Sequence, residues 1–121
     1  MLNEPNQPVI IIVGPCGAGK TTLVRDLERH NVHARQVSQE HSFVPDMWQK
    51  LARPDLLIFL DASFSTCKTR KKFDWTPNDY NEQKRRLRHA RQHCDIYVQT
   101  DGKSPSEVLE TILEELRIGH V

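Results

Sequence analysis

The sequence has 121 residues, 37% hydrophobic and 27% charged, with 17 Lys+Arg against 16 Asp+Glu for a formal net charge of +1. That is one domain of chain, expected to span residues 1–121 and too short for a barrel enzyme or a two-domain dehydrogenase, and its overall neutrality gives no electrostatic argument for nucleic acid or a membrane surface. The longest aliphatic run is five residues against the roughly 18 of a spanning helix, the N-terminus lacks a secretory signal pattern, and Cys16, Cys67 and Cys94 have no paired spacing, all of which fits a cytoplasmic chain without a disulfide framework.

After a polar lead, residues 1–8, expected to be flexible, Val9-Ile10-Ile11-Ile12-Val13 is a continuous β-branched run. Such a run reads as a strand buried on both faces, the central strand of a parallel sheet. Glycine then interrupts the pattern at 14, 17 and 19, and residues 20–30 carry Leu23, Val24 and Leu27 at helical spacing. Residues 32–37 give a weak strand diluted by His33 and Arg35, and Val44-Pro45-Asp46-Met47-Trp48 a loop with one short helix. Residues 55–61 form the second buried strand, entered through Pro54, and residues 63–72 a helix with Ser63 at its N-cap. Pro77 precedes a polar helix over 78–93, and Ile96-Tyr97-Val98 is a short last strand. Ser104-Pro105-Ser106-Glu107 combines an N-cap serine, a first-turn proline and a glutamate three residues after the cap, and Val108, Leu109, Ile112, Leu113 and Leu116 make one apolar stripe behind it. Alternating strands and helices predict a three-layer α/β fold, with four or five mostly parallel strands between helices.

The segment Gly14-Pro15-Cys16-Gly17-Ala18-Gly19-Lys20-Thr21 matches G-x-x-x-x-G-K-[ST] in full, with the required strand before it and helix after it. Glycines let the backbone curl so that successive N–H groups face phosphate oxygens, and the helix N-terminus adds partial positive charge. Lys20 is placed to reach the β- and γ-phosphates, Thr21 to ligate Mg2+ and Thr22 to approach the α-phosphate. A nucleoside triphosphate with Mg2+ is the expected ligand, ATP first among the candidates. Cys16 stands at a variable loop position, open to a thiolate role or to that of a tolerated small residue.

Three segments, Ile11 to Thr22, Arg53 to Ser63 and Cys94 to Val108, together resemble the P-loop kinases of nucleosides, nucleotides and small molecules, the thymidylate-kinase-like members in particular. The resemblance implies transfer of the γ-phosphoryl group of ATP to a small-molecule acceptor. It places Arg70 where these enzymes stack an arginine on adenine, with Gly102 and Lys103 in the adenine-side loop. Gln39-Glu40-His41-Ser42 is similar to the short carboxylate-arginine pattern of such kinases, with histidine in place of arginine, and makes Glu40 the metal-side or base carboxylate. Asp61 competes for that role, against capping the helix that follows it. The stretch that holds the acceptor in the family is much shortened here, which leaves a non-catalytic nucleotide-binding module as the alternative, or a pocket completed across a homodimer.

Residues 68–91 hold nine basic residues against Asp74, Asp79 and Glu82, a local +6 in a nearly neutral chain. In the resembled family lid arginines stabilise the transferring group, a part for Arg85 or Arg88. A solvated cationic helix and an RNA contact are the other readings; aromatics occur only at the segment's start, at Phe73, Trp75 and Tyr80, which weighs against nucleic acid. His89 and His93 have metal-ligand spacing with no third ligand in the pattern.

Overall fold

The computed structural model describes residues 7–71 and 74–117. The lead before residue 7, and Lys72 and Phe73 of the basic segment, lie outside the described residues. Four strands, β1 (Ile10–Val13), β2 (Ala34–Gln36), β3 (Leu56–Asp61) and β4 (Ile96–Gln99), form one all-parallel sheet in the order β2-β1-β3-β4. Five α-helices connect and flank them: α1 (Lys20–Arg29), α2 (Met47–Ala52), α3 (Phe64–Lys71), α4 (Pro77–His93) and α5 (Pro105–Glu115). The expected α/β architecture is present, with four strands.

The continuous aliphatic runs are sheet interior, as their composition requires. In β1, Ile10 and Ile12 face one cluster while Ile11 and Val13 face the other, and in β3 Leu56, Ile58 and Leu60 alternate with Leu57 and Phe59 in the same way. Leu23 and Leu27 of α1 and Val108 and Ile112 of α5 fill the first face; Trp48 of α2 and Leu87 and Ala90 of α4 fill the second. Each fully buried aliphatic side chain contributes roughly 1.5–3 kcal/mol, so these two strands and their covers carry the fold.

The change of face follows from chain direction. From β1 the chain steps to β2 through α1, then returns past β1 to β3 through α2, and right-handed crossovers in opposite directions put their helices on opposite sides of the sheet. The reversal leaves a crevice at the carboxyl end of β1, where open α/β sheets hold ligands.

Helix ends are set by side chains the sequence displays. Ser104 and Glu107 form the expected capping box of α5. A second box, missed in the sequence reading, joins Thr76 and Asp79, so that α4 begins at Pro77 and not one residue later. Ser63 Oγ accepts from the Thr66 N–H at 3.3 Å, capping α3. Asp61 therefore does not cap that helix: buried at the end of β3, it accepts from Lys84 Nζ at 3.2 Å, from the Tyr97 hydroxyl at 2.7 Å and from the Ala62 N–H. A buried carboxylate at this depth needs a cation and a hydrogen-bond donor, and α4 and β4 provide them. No described helix is long and apolar enough to cross a membrane.

Cys67 packs on the inner side of α3, where burial pushes its thiol up to about 11, and burial likewise raises the Tyr80 phenol to about 12. Both protons are kept in the fold at pH values where the unfolded chain releases them. Between about pH 9 and 11 the folded state thus binds more protons, and stability falls as pH rises through that window. Thermal unfolding at pH 8 and pH 10.5 is expected to show this loss, and Cys67→Ala is expected to make it smaller; an equal loss in that variant contradicts the assignment.

Candidate phosphate-binding site

The loop of residues 14–19 leaves the carboxyl end of β1 at that crevice, and its glycines are required by contact as much as by angle. At Gly14, φ is 153° and a Cβ would lie 2.0 Å from the Leu60 carbonyl oxygen of β3; at Gly17, φ is 85° and a Cβ would meet the Cys67 backbone at 2.9 Å. The loop is thus pressed against β3 and α3. Gly19 precedes α1 in the left-handed region at φ 104°, and no side chain caps this helix. The contrast with the capping boxes of α4 and α5 is informative, because the first N–H groups of a helix have no intrahelical acceptor and, uncapped, bind anions.

Lys20 is 6% exposed and Glu40 3%. Lys20 Nζ donates to the Gly14 carbonyl at 2.6 Å, the Pro15 carbonyl at 3.2 Å and Glu40 Oε2 at 2.9 Å. Glu40 lies on a short 3-10 turn, Gln39–His41, just after β2, and its Oε1 is buried with no hydrogen-bond partner among the described residues. The structure brings together the lysine and carboxylate that the sequence singled out. Thr21 Oγ1 is exposed and accepts from Gln36 Nε2 at 2.8 Å. Cys16, Gly17, Gly19, Lys20, Thr21, Thr22, Glu40, His41 and Arg70 line a cleft of about 590 Å3.

A smaller cavity of about 160 Å3 adjoins it, shares Gly19, Thr22 and Arg70, and is closed by Ala18, Thr100 and Lys103. Arg70 here is a tether. Its Nη1 donates to the Gly17 carbonyl and Thr100 Oγ1, both at 3.0 Å, and its Nη2 to the Thr100 carbonyl at 2.9 Å. Thr100 Oγ1 in turn shares its proton between the Ala18 and Asp61 carbonyls, both at 3.1 Å. Thr100 thus joins loop, β3 and the start of the β4–α5 turn, a role no sequence pattern signals. Gly102, at φ 70°, turns the chain beyond it, and Asp101 accepts from the Ser63 N–H at 3.0 Å. Burial works against ionisation of Asp101, but hydrogen bonds from Ser63 outweigh it and hold the carboxyl below its ordinary range.

The polar helix does not bring Arg85 or Arg88 to the loop. Both are exposed, away from the face that carries Gln83 and Leu87, and Arg85 is bound to Glu82 at 2.6 Å. Three other side chains of α4 reach the site instead. Gln83 accepts from the Cys16 N–H at 3.0 Å and donates to its sulfur, Lys84 holds Asp61, and Arg86 donates to the Glu40 carbonyl at 3.4 Å. The helical period in register with Leu87 and Ala90 points to Gln83, which makes it the one contact of the three that the sequence could have supplied. His89 accepts from Trp48 Nε1 at 3.2 Å and its ring lies 4.3 Å from that of His93, an aromatic contact on the α2 side of the sheet.

A larger groove, about 780 Å3 and lined by Ile10, Val32, Leu113 and Leu116, opens beside the first residue of β1, at the opposite end of the sheet from the loop. Beside these apolar side chains it is also lined by Glu110, Glu114, His33 and Arg117, without a glycine loop or a helix N-terminus of the kind found at residues 14–20. No curated protein matches the chain. The family model of the signal recognition particle receptor beta subunit matches residues 5–73, from the lead into β1 through the loop, the Glu40 turn and β3 to the end of α3. That family is GTPase-like and P-loop-based and is not a family of kinases, so the resemblance to kinases holds at the level of the P-loop fold. With more than half of its sequence in the match, and with the loop, strand order and helix placement described above, this chain belongs to the signal recognition particle receptor beta subunit family.

Proposed function

We propose that the chain binds a guanine nucleotide with Mg2+ at residues 14–22 and acts as a nucleotide-dependent binding module. The observation that carries this reading is the uncapped N-terminus of α1 behind a left-handed Gly19, with Lys20 and Thr21 in its first turn. The GTPase-like family favours guanine over the ATP expected from the kinase resemblance, and a family of receptor subunits favours a binding role. The residues fit Mg2+: Thr21 offers an exposed hydroxyl, and Glu40 a buried carboxylate with an oxygen that lacks a donor among the described residues. When bound, the ion neutralises charge on the β- and γ-phosphates. Lys20 exchanges the Gly14 and Pro15 carbonyls for phosphate oxygens, and Arg70, Gly102 and Lys103 form the side on which the base lies.

Phosphoryl transfer to a small-molecule acceptor has no support from the family; Arg85 and Arg88 are turned outward, and Arg86, the α4 arginine that reaches the site, is held by Glu82 and the Glu40 carbonyl. Displacement of a fluorescent GDP analogue in the presence of Mg2+ tests the proposal. GDP and GTP are expected to displace it at concentrations at least tenfold below ATP. Equal displacement by ATP overturns the guanine assignment, and failure of the analogue to bind overturns the nucleotide assignment.

A further inference from the structure

At the mouth of the loop, side chains from two separate segments converge on one point. Cys16 Sγ lies 3.4 Å from His41 Nε2 and 3.8 Å from Glu40 Oε2, and the last two atoms are 3.8 Å apart. A tetrahedral zinc ion, with Zn–S about 2.3 Å and Zn–N and Zn–O about 2.0–2.2 Å, holds its ligand atoms about 3.4–3.6 Å from one another. The three edges are therefore within a few tenths of an ångström of a zinc-binding triangle. Glu40 is buried, and its two oxygens are under-used: Oε1 has no donor among the described residues, and Oε2, the oxygen of the triangle, accepts from Lys20 Nζ with a lone pair remaining for a cation.

We infer that Cys16, Glu40 and His41 form a binding site for a thiophilic divalent cation of the zinc class, with three protein ligands and a fourth position open to the cleft. Sulfur and imidazole select zinc or cobalt over Mg2+, which takes oxygen ligands. Binding converts the Cys16 thiol to thiolate, and the released proton passes to solvent. The inference concerns the nucleotide-free chain and does not depend on the proposed nucleotide; a Mg2+ ion bound with nucleotide competes for the same Glu40 carboxylate.

Titration of the full chain, free of nucleotide, with Co2+ tests it. One equivalent is expected to produce a thiolate-to-cobalt charge-transfer band, to release about one proton per metal ion, and to be displaced by Zn2+. Cys16→Ser is expected to abolish the band, His41→Ala to weaken cobalt binding at least tenfold, and Cys94→Ser to retain it, each variant first checked for cooperative unfolding. Should Cys16→Ser fail to fold, His41→Ala and Cys94→Ser decide the matter. The absence of a band at millimolar cobalt, its persistence in Cys16→Ser, its loss in Cys94→Ser alone, or displacement of cobalt by equimolar Mg2+ overturns the inference.

Discussion

Lys20→Ala is expected to remove two things at once: nucleotide affinity, by about 100-fold or more, and about 3 kcal/mol of folding stability. The second loss follows from the apo contacts. Lys20 and Glu40 are both buried and lie 2.9 Å apart, so deleting the ammonium leaves a carboxylate out of water with one oxygen already lacking a donor. Removing one member of a buried pair costs more than the pair contributes, because the remaining charge has no compensation. Lys20→Ala combined with Glu40→Gln is therefore expected to recover more than half of the lost stability, since the orphaned charge is gone. Nucleotide affinity is expected to stay low in the double variant, because phosphate binding needs the ammonium. Urea unfolding of the two single variants and the double variant closes the cycle. Additive destabilisation contradicts the coupling.

The second large effect is at Gly14. It stands one residue beyond β1, whose last pair is Val13 with Phe59, and a Cβ there would overlap the Leu60 carbonyl. The obstacle is backbone of a central strand and cannot move alone. Gly14→Ala is expected to destabilise by about 3 kcal/mol or more, combining overpacking with a backbone angle that alanine disfavours, and to lower the melting temperature by about 10 °C. Gly102→Ala is the control. Its φ of 70° carries a similar conformational cost, but its Cβ meets nothing within 4 Å, so about 1 kcal/mol is expected. Equal losses at the two positions would mean that the approach of the loop to β3 does not matter.

The elements readable from sequence are those in which local preference and tertiary position agree. Val9 to Val13 and Leu56 to Leu60 are apolar at every position because both faces of the sheet are covered, and the loop motif fixes strand, turn and helix together. The capping box of α5 was legible for the same reason. That of α4 is present as Thr76 and Asp79, with Pro77 as the first helical residue in place of the expected start at residue 78. Thr100 and the Lys84 and Tyr97 partners of Asp61 are illegible because their contacts span 20 or more residues of chain and a single sequence holds no record of such pairings, whereas the helical period places Gln83 on the inner face without naming its partner. The arginines misled because charge density along a helix does not say which way each side chain faces; Arg85 and Arg88 share a segment with Gln83 but not a side.

The choice between adenine and guanine was beyond the motif for a chemical reason. Backbone amides, Lys20 and Thr21 address phosphates, which every nucleotide carries, and the family match ends at residue 73, before the turn around Asp101 and Gly102 proposed for the base side. The kinase resemblance and the GTPase-like family therefore agree on fold and phosphate site and differ on base and chemistry.

In the proposed function, the uncapped start of α1 and its glycine loop hold nucleotide phosphates. An amide NMR titration of the chain with GDP and Mg2+ tests it most directly. Saturable shifts are expected at Gly17, Gly19, Lys20 and Thr21, with smaller ones at Arg70 and Lys103, all absent in Lys20→Ala. Shifts confined to the groove beside Val32 and Leu113, or no saturable shift at the loop at millimolar GDP, would contradict the account.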